Sequence, residues 1–109
     1  MNIKELARTI EVDEETYIQL LELFYERSCA DLKKIECALR DGLGQDLANA
    51  AHSIKGAASS LRIEDIYEQA KEIELKGRQN SLEGLERNAL VLKERLEFVR
   101  TVGEEWKQQ

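Results

Sequence analysis

The sequence predicts an all-α protein, an antiparallel up-down-up-down four-helix bundle with a short extra N-terminal helix. Three observations carry that expectation. The 109 residues include no proline and only 6 glycines, and strong helix formers, Ala, Leu, Glu, Lys, Arg and Gln, dominate the composition. Apolar residues recur at steps of three and four along nearly the whole chain, which is the period of one helix face. The breaks between these runs are short, so consecutive helices must fold back and bury their stripes together.

The elements follow in order. Residues 2 to 10, with Ile3, Leu6, Ala7 and Ile10, form a short amphipathic leading helix. Asp13 is a good N-cap for a long helix whose inward positions are Ile18, Leu21, Tyr25, Ser28, Leu32, Ile35 and Leu39, and Gly42 ends it. After Gly42-Leu43-Gly44 the stripe resumes at Leu47, Ala51, Ile54, Ala58 and Leu61. Ile63, Ile66, Ala70 and Ile73 mark the next helix, with Gly77 as its expected terminating glycine. Asn80 and Glu83 have the spacing of a capping box for the last helix, which carries Leu82, Leu85, Ala89, Leu92, Leu96 and Val99 toward Trp106. Phe24, Phe98, Trp106 and the tyrosines are expected to pack in the core and at the bundle ends.

Length and charge limit the function classes. A chain of this size builds one core but not a catalytic domain with a separate nucleotide-binding domain, so residues 1–109 are taken as a single domain. A net charge of −6 and a pI near 4.9 argue against nucleic acid, which needs a basic footprint. No apolar run reaches the ~18 residues of a membrane span, and the N-terminus lacks a signal-peptide core. A cytoplasmic monomer is expected. Cys29 and Cys37 lie eight residues apart on one helix, which separates their Cα atoms by ~12 Å, too far for a disulfide. They are expected to be reduced core thiols, and their spacing with one distant histidine fits no usual zinc pattern.

The chemistry lies in Ala51-His52-Ser53-Ile54-Lys55-Gly56-Ala57-Ala58-Ser59-Ser60-Leu61. His52 is the only histidine, and Lys55 and Gly56 follow it by three and four residues, about one turn on the same face. This group centres about 130° away from the core stripe, so His52 is expected to reach solvent. An imidazole can accept a phosphoryl group, an ammonium can lie beside its charge, and a glycine leaves room for a tetrahedral group or an incoming protein. Phosphoryl transfer spreads charge over equatorial oxygens, so a nearby cation helps while little other chemistry is required. Ser59, one further turn on, is a candidate donor to a phosphate oxygen. Folding the next helix back after a turn near residues 61 to 63 sets His52 opposite about residue 73. Glu74 is the polar residue there. Its carboxylate would accept a hydrogen bond from Nδ1–H, fix the tautomer and leave Nε2 as nucleophile.

His52-Ser53-Ile54-Lys55-Gly56-Ala57-Ala58-Ser59-Ser60-Leu61 closely resembles the active-site helix of histidine-containing phosphotransfer domains, whose pattern is His-x-x-Lys-Gly. Ile63 through Glu74 is similar to the next helix of that family, and the long helices on either side match its bundle. The resemblance implies a phosphocarrier that takes a phosphoryl group from the aspartate of one receiver domain and passes it to another. It makes His52 the phosphorylated residue, Lys55 the cation facing phosphate, Gly56 the access residue and Glu74 the counterpart of a side chain that orients the imidazole. It also implies response-regulator receiver domains, and a hybrid sensor kinase, as partners, with Mg2+ in the receiver only and no cofactor of this chain's own. One departure stands out. The family usually has glycine directly after the leucine equivalent to Leu61, where this chain has Arg62, and a left-handed turn there strains arginine.

Each residue also has a plainer explanation. A solitary helical histidine is commonly a surface residue, Lys55 alone a solvated charge, and Glu74 alone a partner of Lys71 or Arg78 on its own helix, worth ~0.2–0.5 kcal/mol. Gly56 tips the balance, because a glycine inside a helix costs roughly 1 kcal/mol relative to alanine and needs a reason, either close packing or access to His52. Two other functions compete. A helical adaptor would dock a signalling partner through the same stripe without phosphate, the docking patch drawing on the first two helices. A dimeric autokinase fragment is disfavoured, because the chain has no Gly-rich phosphate loop or magnesium-binding carboxylate cluster and ATP binding is not expected.

Overall fold

A computed structural model describes residues 1–109. The chain is all-helical, with α1 (Ile3–Thr9), α2 (Glu14–Asp41), α3 (Gly44–Ser60), α4 (Glu64–Arg78) and α5 (Leu85–Lys107). Helix α2 packs on α3 and α5, α3 on α4 and α4 on α5, so the four long helices close a ring, while α1 rests on α2 alone. No helix is long and apolar enough to cross a membrane.

The three-four stripes converge on one cluster of 24 buried residues. Ile18, Leu21 and Ile35 of α2, Leu47, Ala51 and Ile54 of α3, Ile66 and Ile73 of α4, and Leu92 and Leu96 of α5 are essentially inaccessible to solvent. Burying a leucine or isoleucine of this kind contributes about 1.5–3 kcal/mol each, which holds α3 and α4 in fixed register. Tyr17, absent from the expected stripe, is also fully buried. Its hydroxyl donates to the Leu61 carbonyl at 2.7 Å and ties α2 to the end of α3, and burial pushes its pKa up to about 12.

Side chains cap only the first two helices. Asn2 accepts from the Glu5 amide at 3.1 Å and Asp13 from the Thr16 amide at 2.7 Å. The C-termini of α1 to α4 all close in the same way, by a left-handed residue followed by an amide that returns to the last turn. The Val12 amide donates to the Ala7 carbonyl, Leu43 to Ala38, Ile63 to Ala58 and Ser81 to Lys76, and each is paired with a bond from the left-handed residue's own amide, Glu11 to Arg8, Gly42 to Leu39, Arg62 to Ser59 and Asn80 to Gly77, as in a Schellman motif. Gly42 supplies the left-handed residue after α2, whereas Glu11, Arg62 and Asn80 do so elsewhere, with φ of 60°, 61° and 54°. The expected left-handed turn at Arg62 is therefore made by arginine itself.

Four local expectations are corrected. Gly77 does not terminate α4 but lies buried inside its last turn, and the chain leaves the helix at Asn80. The reason is close packing. A Cβ on Gly77 would sit 2.9 Å from the Gly44 carbonyl oxygen, and one on Gly44 2.7 Å from that of Gly77, so the two backbones cross where no side chain fits. The Asn80–Glu83 capping box does not form, because α5 begins at Leu85 behind Gly84, whose φ is 83°. Cys37 is exposed and Cys29 half-buried, so the free thiols are not core residues; Phe98 is also exposed. Gly77→Ala is expected to lower stability by about 1–3 kcal/mol through overpacking, as read by urea unfolding; an unchanged midpoint would contradict the close crossing.

Candidate functional site

Ala51 and Ile54 of α3 are fully buried, so His52, Lys55 and Gly56, displaced around the helix, leave the core together. The His52 side chain is 62% exposed. Its Nδ1 lies 2.9 Å from Glu74 Oε2 on α4. A carboxylate only accepts, so Nδ1 carries the proton and donates, which leaves the Nε2 lone pair on the outward side of the ring. Lys55 Nζ lies 2.6 Å from Glu74 Oε1, on the same side of the bundle as the imidazole. Gly56 is exposed, and a Cβ there would meet nothing within 4 Å. Close packing is therefore not the reason for this glycine. Ser59 is exposed one turn beyond Lys55.

Glu74 is the hub. Its side chain is only 12% exposed, and besides His52 and Lys55 it accepts from an Arg78 guanidinium nitrogen at 3.0 Å. Burial alone would raise its pKa, but hydrogen bonds from Lys55, His52 and Arg78 together outweigh that and hold the carboxyl below its usual range. A carboxyl with a depressed folded-state pKa contributes stability that is present above its unfolded value and lost as pH falls through the folded value. Stability is thus expected to decline as pH drops below about 4.5. Glu74→Gln should flatten that limb in urea unfolding across pH 3 to 6, and an identical pH slope in the variant would contradict the ion-pair account.

Arg78, expected only as a same-helix partner of Glu74, has a second role, and Asn49 was not singled out from sequence. Arg78 also donates to Asn49 Oδ1 at 3.2 Å, and Asn49 accepts from Gln45 Nε2 at 3.2 Å. The bonds His52–Glu74 and Asn49–Arg78 both join α3 to α4, but a register with His52 opposite about residue 73 sets Asn49 opposite about residue 76, two positions short of Arg78. The Ser60 hydroxyl turns back to the Gly56 carbonyl at 3.2 Å. No group of three His, Cys, Asp or Glu side chains is arranged to hold a metal ion. Ser53, next to the histidine in the chain, lines an open groove with Leu20, Leu23, Phe24, Arg27, Ser28 and Asp31 of α2, Ala57 and Ser60 of α3 and Leu61 just after α3, and Leu23 is 56% exposed.

The crystal structure of histidine-containing phosphotransfer protein B from Pseudomonas aeruginosa PAO1 is similar, with a TM-score of 0.83 and 29% identity over 94% of this chain and 90% of that one. No curated protein sequence matches the chain. The model of the Hpt domain family matches residues 19–102, a span that contains all of α3 and α4, and the chain therefore belongs to the Hpt domain family.

Proposed function

We propose that the chain is a phosphorelay carrier that accepts a phosphoryl group on His52 Nε2 from the aspartate of one response-regulator receiver domain and passes it to another. The observation that carries this is the exposed imidazole whose Nδ1 proton is engaged by Glu74 at 2.9 Å. The Nε2 lone pair attacks phosphorus; the P–O bond to the aspartyl carboxylate breaks and returns its electron pair to that carboxylate. The ring keeps its Nδ1 proton, so the product is a phosphoimidazolium whose positive charge faces Glu74. Lys55 neutralises the transferred oxygens, Ser59 offers them a hydroxyl, and Gly56 admits the receiver.

In this account the protein is a carrier and not an enzyme. The magnesium ion belongs to the receiver, and a hybrid sensor kinase stands upstream. The whole chain acts as one cytoplasmic monomeric domain, its long helices arranged up-down-up-down and antiparallel with α1 as the extra N-terminal helix. Short connections and the packing order support that arrangement. The receiver docks over the groove beside Leu20 and Leu23, which lies between α2 and α3 and has no lining residue from α1.

The same groove, with exposed Leu20 and Leu23 on its α2 side, favours a second reading, a phosphate-free adaptor. Incubating the protein with a panel of phosphorylated receiver domains separates the two. The carrier gains acid-labile, base-stable phosphate and discharges it to a second receiver. An adaptor binds receivers but gains none, and labelling from ATP alone would point to an autokinase.

A further inference from the structure

Glu74 bonds both Lys55 and His52, yet in a carrier Lys55 is needed elsewhere. The two ring nitrogens point away from each other, so a phosphoryl group on Nε2 lies on the side of the ring opposite the carboxylate. An ammonium bonded to Glu74 Oε1 at 2.6 Å must swing away to meet that phosphoryl group. If the ammonium leaves to meet the incoming group before transfer has made the ring cationic, one full positive charge is stripped from a carboxylate that is only 12% exposed, and leaving a sheltered charge under-compensated during uptake is unfavourable.

Arg78 is built to stay behind. One guanidinium nitrogen donates to Glu74 Oε2 at 3.0 Å and another to Asn49 Oδ1 at 3.2 Å, and Asn49 is itself engaged by Gln45. The planar fork is thus pinned at both ends, to α3 and to α4. Lys55 is held at one end only, since Glu74 is its sole ion-pair partner. The anchored cation and the loosely tethered one share one carboxylate.

We propose that Arg78 is a positioning residue that releases Lys55 to the phosphoryl group. By keeping Glu74 compensated, it allows the carboxylate to give up the ammonium while still holding the His52 ring. The inference rests on the carrier reading. It places a residue of the α4 C-terminal turn, which never touches phosphate, in control of how readily the phosphate-facing lysine becomes available. Without Arg78, Glu74 would draw Lys55 tighter and withhold it.

The test is a mutant cycle on the full chain, following the rate of phosphate uptake from one phosphorylated receiver domain. Lys55→Ala is expected to slow uptake about 10-fold, the loss of one charge-assisted contact at a partly exposed site. Arg78→Ala should slow it by a similar factor, the double variant should be no more than about twofold slower than Lys55→Ala alone, and Arg78→Lys should stay within about threefold of wild type. Urea unfolding of each variant separates these losses from loss of fold, because a merely structural role would not make the Arg78 effect vanish when Lys55 is absent. Wild-type rates in Arg78→Ala, no effect of Lys55→Ala, or losses that multiply in the double variant would overturn the proposal. Failure of the carrier reading looks different, since wild type itself would then take up no phosphate, and both ideas would fall together.

Discussion

His52→Gln is expected to take up no phosphate from any charged receiver domain while keeping its fold. The substitution removes the only imidazole, and no other residue of the site offers a nitrogen lone pair to phosphorus at neutral pH, because Lys55 and Arg78 are cations. The side chain replaced is 62% exposed and contributes little apolar burial, so stability should change by no more than about 0.5 kcal/mol. Glu74 keeps two cationic partners in the variant, Lys55 and Arg78. A labelling assay read beside a thermal melt checks both halves. Residual labelling would move the acceptor to another residue, and a collapsed melt would mean that His52 supports the bundle.

Gly56 should respond in an unusual direction, with function falling as stability rises. No atom lies within 4 Å of the position a Cβ would take, and glycine inside a helix costs roughly 1 kcal/mol relative to alanine. Gly56→Ala is therefore expected to raise the melting temperature by about 4–8 °C for a domain of this size. Gly56→Leu keeps the helix propensity but fills the approach to Nε2, and transfer from a receiver domain should drop at least ~10-fold, equivalent to ~1.4 kcal/mol. Phosphorylation by a small donor such as phosphoramidate should be nearly unchanged in both variants, because only a protein partner needs the space. Gly77→Ala should show the reverse pattern, lower stability with intact chemistry. A fall in the melting temperature of Gly56→Ala would remove access as the reason for this glycine.

The contrast between these glycines marks what was legible in the sequence. The periodic stripes located all five helices, because burial of a face at steps of three and four is a strong constraint. They also placed His52 off the stripe and Glu74 opposite it. The helix ends were harder. Gly42 announces its left-handed turn, but Glu11, Arg62 and Asn80 adopt the same conformation without the residue type that signals it. At Gly77 the expected cue was present and meant something else, a backbone crossing with Gly44 that depends on two helices meeting and leaves no trace in either one alone.

The site was legible to a similar depth. Spacing alone brought Lys55 and Gly56 beside His52, and helix register supplied Glu74. What spacing could not give is which cations a carboxylate collects. Arg78 was visible only as a same-helix partner four residues on, yet its second bond to Asn49 turns it into a link between α3 and α4. Lys55 was expected to face the phosphate position, and its ammonium instead bonds Glu74.

The most direct measurement is nuclear magnetic resonance of the 15N-labelled protein after phosphorylation by a receiver domain, reading which ring nitrogen of His52 couples to 31P. The account predicts phosphorus on Nε2 with the proton retained on Nδ1, facing Glu74. Coupling to Nδ1, or a phosphorus signal with no histidine nitrogen attached, would contradict it.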